Sequence, residues 1–243
     1  MKLPEPPPDW GNDELTKFLD CARANTFAAF DNLKSDYKKL SAIDDVFEVS
    51  VQNLHHTAFA ALFVFQAHSA FRAALCLVFN GQITETQVCL RLVLENALYG
   101  FYFSKNPTSL TTWLNRHVDK DERKKVVKEF KIRGEHQSLL ATLKASSKPM
   151  GDIVEALYEY TIDFGAHPNK YGLKQRTRVV RDEENVKFDF VYLLRGDAPE
   201  SRLALRTVSQ VGVCALSVFR LIYAERFDIL GLSETIDRLR KGL

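Results

Sequence analysis

The sequence is short of the motifs that mark common chemistries. It contains no Walker loop, no GxGxxG and no GxSxG elbow, so neither a glycine-cradled nucleotide nor an elbow-borne serine is expected. The spacings HxxxH, HExxH and CxxC are missing too. His55 and His56 are adjacent, so on a helix they point in different directions and do not chelate one ion as an i, i+4 pair would. No metal and no cofactor is expected. Cysteine is sparse: Cys21, Cys76, Cys89 and Cys214 are scattered, which suits free thiols in a reducing compartment better than a disulfide frame.

An excess of charge of one sign is also missing. With 33 Lys and Arg against 31 Asp and Glu, the formal net charge is +2, so any hold on a polyanion must come from local patches. The amino-terminal MKLPEPPPDW has no apolar core of a signal peptide. Its prolines 4, 6, 7 and 8 make an extended arm over residues 1–11. One apolar run, Thr57 to Phe79, is long enough for a membrane span, but Gln66, His68 and Arg72 lie in its middle. They favour a helix buried in protein. A cytoplasmic protein without membrane contact is expected, and 243 residues, 46% of them hydrophobic, suit one domain over 1–243.

What is present is helical. ITETQVCLRLVLENALYGFYF, Ile83 to Phe103, is apolar on nearly every side yet carries Arg91, Glu95 and Asn96; it reads as the central helix of an all-α bundle. Asp45 and Glu48 form a capping-box pair before a second helix running over 46–80, Asn80-Gly81 closes it, and Thr84 with Gln87 opens the central helix. So short a link forces the two helices into an antiparallel hairpin. Asn12 caps an outer amphipathic helix, and further helices are expected over 109–117, 119–133 and 137–145. A linker should follow over 146–151. A helix opened by Asp152 carries Ile153, Leu157, Tyr160 and Phe164 on one side. Asp197 and Glu200 cap a last long helix, and DRLRKGL reads as an exposed tail.

The hairpin geometry gathers the polar residues. Arg72 and Arg91 lie about 14 and 15 Å from the turn along their axes, and His68 and Glu95 again match in height. His68 with Arg72, and Arg91 with Glu95, are i, i+4 pairs. The four are therefore expected in one layer. That layer is either an ion-pair network fixing the register or a pocket whose surplus positive charge takes a phosphate or a carboxylate.

Two basic stretches stand out. Asp119 to Arg133 holds seven basic against four acidic residues, with a thin apolar stripe of Val126, Val127 and Phe130. Lys170, Lys174, Arg176, Arg178 and Arg181 follow His167 with no acidic residue among them, a signal for nucleic acid or for a charge-protected edge strand. There the pattern turns to period two, and RTRVVR and VKFDFVYLL flank 182–185 as a β-hairpin appended over 174–195. Its face of Val186, Phe188, Phe190 and Tyr192 should cover the bundle or meet a second copy in a homodimer. His167 sits where Gly165 and Pro168 stop a helix.

The run Arg72, Gly81, Arg91-x-x-x-Glu95 and then Gly165-x-His167-Pro168 resembles uncharacterised bacterial helical proteins similar to the HEPN superfamily, over roughly residues 49–169. Those helical modules are associated with RNA cleavage in host-defence and toxin systems. The resemblance implies a metal-independent ribonuclease or a binder of RNA or nucleotide phosphate. Its catalytic residues would be His167, Arg91 and Arg72, with His68, Glu95, Lys170, Arg176 and Arg178 on the ligand. The family signature Arg-x4–6-His would need arginine at Tyr160, Thr161 or Ile162, so a neighbouring helix has to supply it. The competing expectation is a non-catalytic interaction or dimerisation module whose polar core is purely structural.

Overall fold

The structure, a computed structural model, describes residues 5–54, 59–134, 138–168, 170–181, 185–196 and 198–243. It is an all-α bundle with one small antiparallel hairpin, as the patterns predict. The elements are α1 (Glu14–Asn32), α2 (Lys34–Asn53), α3 (Phe59–Asn80), α4 (Ile83–Lys105), α5 (Ser109–Leu114), α6 (Lys120–Glu129), α7 (Leu139–Ser146), α8 (Lys148–Thr161), α9 (Lys170–Arg176), β1 (Thr177–Arg181), β2 (Val186–Phe190), α10 (Pro199–Ile222), α11 (Ala224–Ile229) and α12 (Leu232–Arg240).

The antiparallel pair α3–α4 is the axis of the molecule, and α10 packs along both of its helices. Phe71, Leu90, Leu94, Phe101, Val208 and Phe219 are fully enclosed between them. An aromatic cluster of Phe59, Phe63, Tyr99, Phe103 and Trp113 closes one end. The other end is the tight turn at Gly81, with φ +88°, a conformation glycine adopts without Cβ strain. The chain after the β-hairpin crosses so close that a Cβ on Gly81 would lie 2.1 Å from the Leu194 carbonyl oxygen. Leu194 donates its N–H to the Gly81 carbonyl at 2.9 Å, and the Asn25 amide bridges the carbonyls of Asn80 and Leu194. α3 and α10 are both long and apolar enough to cross a membrane, and in this fold α10 is largely buried while α3 is buried on one side.

Several boundaries differ from the expected ones. No helix runs unbroken over 46–80: α2 ends at Asn53 and α3 begins at Phe59, so Asp45 and Glu48 lie in mid-helix rather than at a cap. Asp13 caps α1 instead of Asn12. Gln82 precedes α4 with no side-chain cap, so Thr84 and Gln87 do not form the capping box. Ser147 alone separates α7 from α8, whose proline in the first turn replaces the supposed linker. In α8 the buried side is Val154, Tyr158 and Thr161, while Ile153 is half-exposed. The inward stripe is thus turned by one residue. α12 is no loose tail, since Ile236 and Leu239 are buried. Four expectations fall on residues outside those described: Pro4 of the arm, the His55–His56 pair, the 182–184 turn and the Asp197 cap.

Candidate functional site

The site forms where α8 meets α4. On α4, Arg91 and Glu95 share a face one turn apart, with Arg91 Nε 2.8 Å from Glu95 Oε1. Tyr158 of α8 donates its hydroxyl to the same carboxylate oxygen at 2.9 Å. Its ring lies under two guanidinium groups, Arg91 at 5.1 Å and Arg133 at 5.3 Å from the centroid, within cation–π range. Arg133, just past α6, is in turn paired with Glu159. The cluster is half-open: Tyr158 is buried, Arg91 and Glu95 keep about a quarter of their side chains exposed, and His167 lies at the surface.

His167 comes to this cluster through the end of α8. Residues Ile162–Ala166 widen into a π-turn, a form common at functional sites. Gly165 lies against α4 so closely that a Cβ would be 2.2 Å from the Thr84 carbonyl oxygen. Glycine alone allows that approach, and Pro168 prevents the helix from continuing. His167 Nε2 is thereby set 3.0 Å from Arg91 Nη1. A guanidinium has no acceptor, so Arg91 donates and Nε2 accepts, which leaves the imidazole neutral with its proton on Nδ1. Burial, reinforced by the charge and hydrogen bond of Glu95, pushes the Tyr158 pKa up to about 12, so Tyr158 remains a donor. Burial works against the Arg91 charge, but Glu95 and Tyr158 outweigh it and raise its pKa. The result is a fixed cation carrying spare N–H donors beside an imidazole base.

The expected single layer of His68, Arg72, Arg91 and Glu95 does not form. Residue counting puts them at similar distances from the turn, but α3 turns His68 and Arg72 toward α2, on another side of the hairpin. His68 Nε2 lies 2.7 Å from Asp44 Oδ1, and its ring stacks on Phe47 at 5.4 Å. Arg72 grips Asp44 through Nε and Nη2, both at 2.9 Å, and reaches Glu48 at 2.8 Å. Burial tends to raise the Asp44 pKa, yet the hydrogen bonds and charges of His68 and Arg72 win and lower it to about 2. This network sets the Arg72 guanidinium against two carboxylates, so the surplus positive charge expected from two arginines against one carboxylate is not there. Arg72 is engaged in it, apart from His167.

The remaining basic residues divide. Arg176 is buried and locked to Glu85 through both terminal nitrogens, with Nη1 at 2.8 Å from Oε1, so it is a structural anchor rather than an open ligand group. Lys170 and Arg178 are exposed. On α6, Lys124 and Lys125 pair with Asp121 and Glu122, whereas Lys120, Arg123 and Lys128 are exposed. Lys105, Lys125 and Lys128, with the hydroxyls of Tyr102 and Thr112, line a cleft of about 650 Å³. Arg133, beyond the end of α6, lies over the Tyr158 ring.

Sequence reasoning missed Tyr158, Arg133, Asp44, Glu48 and Glu85. Tyr158, with Val154 and Thr161, does fit an i, i+4, i+7 stripe, but the neighbouring stripe through Leu157 is equally apolar. The other four are charged residues whose partners lie far away in sequence. The fold defines the class, an all-α helical bundle with an appended β-hairpin. Comparison with protein-family models, curated proteins and solved structures gives no match to the chain.

Proposed function

We propose that the Arg91–His167 pair is the centre of a phosphate-recognising, HEPN-like site that acts on RNA. The observation that carries the reading is the 3.0 Å contact between Arg91 Nη1 and His167 Nε2 at an open surface. An arginine reaching the histidine from a neighbouring helix answers the missing upstream arginine of the family signature. Glu95 and Tyr158 hold the guanidinium from below, which leaves its outer N–H groups for an incoming phosphate. Such a phosphate competes for Nη1 and frees the Nε2 lone pair. His167 then takes the proton of the ribose 2′-hydroxyl as that oxygen attacks phosphorus. The bond to the 5′-oxygen breaks, water supplies the proton to the leaving oxygen, and a 2′,3′-cyclic phosphate results. The exposed Lys170 and Lys174 of α9, which packs on the turn leading to His167, suit a polyanion longer than one nucleotide.

Titration of short single-stranded RNA over a salt series, with gel analysis of products, tests the reading. Binding should weaken steeply with salt. His167→Ala should abolish cleavage with little change in the melting curve, and Arg91→Ala should weaken both cleavage and binding. Protein that neither retains nor cuts RNA at low salt would instead support the second reading, a non-catalytic interaction module. That reading is favoured by one observation, the closure of the Asp44–Glu48–His68–Arg72 network on itself.

A further inference from the structure

The β-hairpin stands clear of the bundle. Its register pairs Thr177 with Phe190, Val179 with Phe188 and Arg181 with Val186, and directly opposed residues share a face. One face therefore carries Val179, Val186, Phe188 and Phe190, which keep 54%, 56%, 69% and 45% of their surface exposed. The alternative that this face covers the bundle is thus excluded. An isolated two-stranded ribbon is marginal in water, yet this one has a firm root. Arg176, fastened to Glu85 of α4, lies 5.8 Å from the Phe190 ring, and Phe190 meets Tyr192 edge-on at 5.2 Å.

We infer that two copies of this chain pair along β2, antiparallel about a two-fold axis at Phe188, to make a four-stranded sheet. The backbone phase permits that axis. Val191 donates its N–H to the Arg176 carbonyl, so residues 187, 189 and 191 turn their backbone groups toward β1. Those of 186, 188 and 190 then point to the outer edge. With the axis at Phe188, residue 186 meets 190 of the other copy and 188 meets its own equivalent, each as a hydrogen-bonded pair. The side chains of VKFDF are self-complementary in this register. Lys187 lies opposite Asp189 of the second copy, and Asp189 opposite its Lys187. On the other face Val186, Phe188 and Phe190 each gain an apolar neighbour on a flank that now meets water. The β1 edge offers no such match, because its only charged residues are Arg178 and Arg181. Such an isologous arrangement closes as a dimer and leaves the charged β1 edges outermost, where they resist further strand addition. The inference is independent of the Arg91–His167 reading.

Sedimentation velocity of the full chain across micromolar concentrations tests it, with far-UV circular dichroism to verify that each variant keeps its helices. The wild-type chain should be a dimer. Asp189→Lys sets lysines opposite lysines twice across the axis and should weaken the dimer at least tenfold. Adding Lys187→Asp to that variant restores both opposite-charge pairs and should restore the dimer. Phe188→Glu should give a folded monomer. A wild-type monomer at tens of micromolar would overturn the inference. So would a dimer indifferent to Asp189→Lys and Phe188→Glu, or one that the double exchange fails to restore.

Discussion

The Tyr158 hydroxyl, 2.9 Å from Glu95 Oε1, joins α8 to α4 directly beneath the contact between Arg91 and His167. One carboxylate oxygen thus receives both the tyrosine and the arginine Nε. The position of the guanidinium therefore depends on a residue that no ligand needs to touch.

Tyr158→Phe keeps the ring under Arg91 and Arg133 but removes the donor to Glu95. A hydrogen bond to a charged group contributes on the order of 1.5–3 kcal/mol. The partly exposed carboxylate recovers some of this from water, so urea melts should show a loss of about 1–2 kcal/mol. RNA affinity should fall less than in Arg91→Ala. An unchanged melt would mean that the hydroxyl bond does not form in solution.

Asp44 makes stability depend on acid. Its folded pKa of about 2 lies below the ordinary 3.8, so between those values the unfolded chain binds the proton more tightly and stability rises with pH. The contribution, about 2 kcal/mol, is complete above pH ~5 and is lost as the pH falls toward 2. Asp44→Asn should be less stable at neutral pH and show a flatter acid limb. Parallel acid limbs in the two proteins would contradict the assignment.

Gly165→Ala forces a Cβ into the Thr84 carbonyl, 2.2 Å away in the present backbone. The π-turn must lift from α4, at a cost of roughly 1–3 kcal/mol. His167 should lose its place beside Arg91. The imidazole ¹⁵N resonances report this independently of activity, and they should move toward those of Arg91→Ala.

The four thiols should react in order of burial. Cys21 and Cys76 are exposed, while Cys214 is buried, and burial pushes the Cys214 thiol up to about 12. At pH 8 an aromatic disulfide reagent should label Cys21 and Cys76 quickly. Cys214 should react only at the rate of unfolding.

The α3–α4 hairpin is legible because Asn80-Gly81 interrupts two long apolar runs, and its position along the axis follows from counting residues. Direction around the axis is not legible in the same way. Arg72 and Arg91 lie at one height, but which side of each helix faces which neighbour depends on α2 and α8, whose placement the hairpin sequence does not contain. The polar layer therefore separates into two networks. His167 beside Arg91 is foreshadowed by Gly165 and Pro168, which act locally. The break after Asn53 has no such marker, since neither glycine nor proline occurs between Asp45 and Asn80. Tyr158 is hidden by an apolar stripe one residue out of phase. The β-hairpin is legible from its period-two pattern, while the exposure of its apolar face reflects what the bundle leaves uncovered.

The close crossings at Gly81 and Gly165 also make one part of the chain separable. Leu194 is fastened to Gly81, and Gly165 lies on Thr84, so the stretch between Gly165 and Leu194 leaves and rejoins the molecule at the first turn of α4. Only the entry into α4, three residues from Gly81 to Thr84, separates those anchors in the chain. A short bridge replacing 167–192 would span that gap, at the cost of the contacts that Arg176 and His167 make with Glu85 and Arg91 of α4. The basic run, the histidine and the β-hairpin thus travel as one cassette, open to exchange while the scaffold beneath it stays the same.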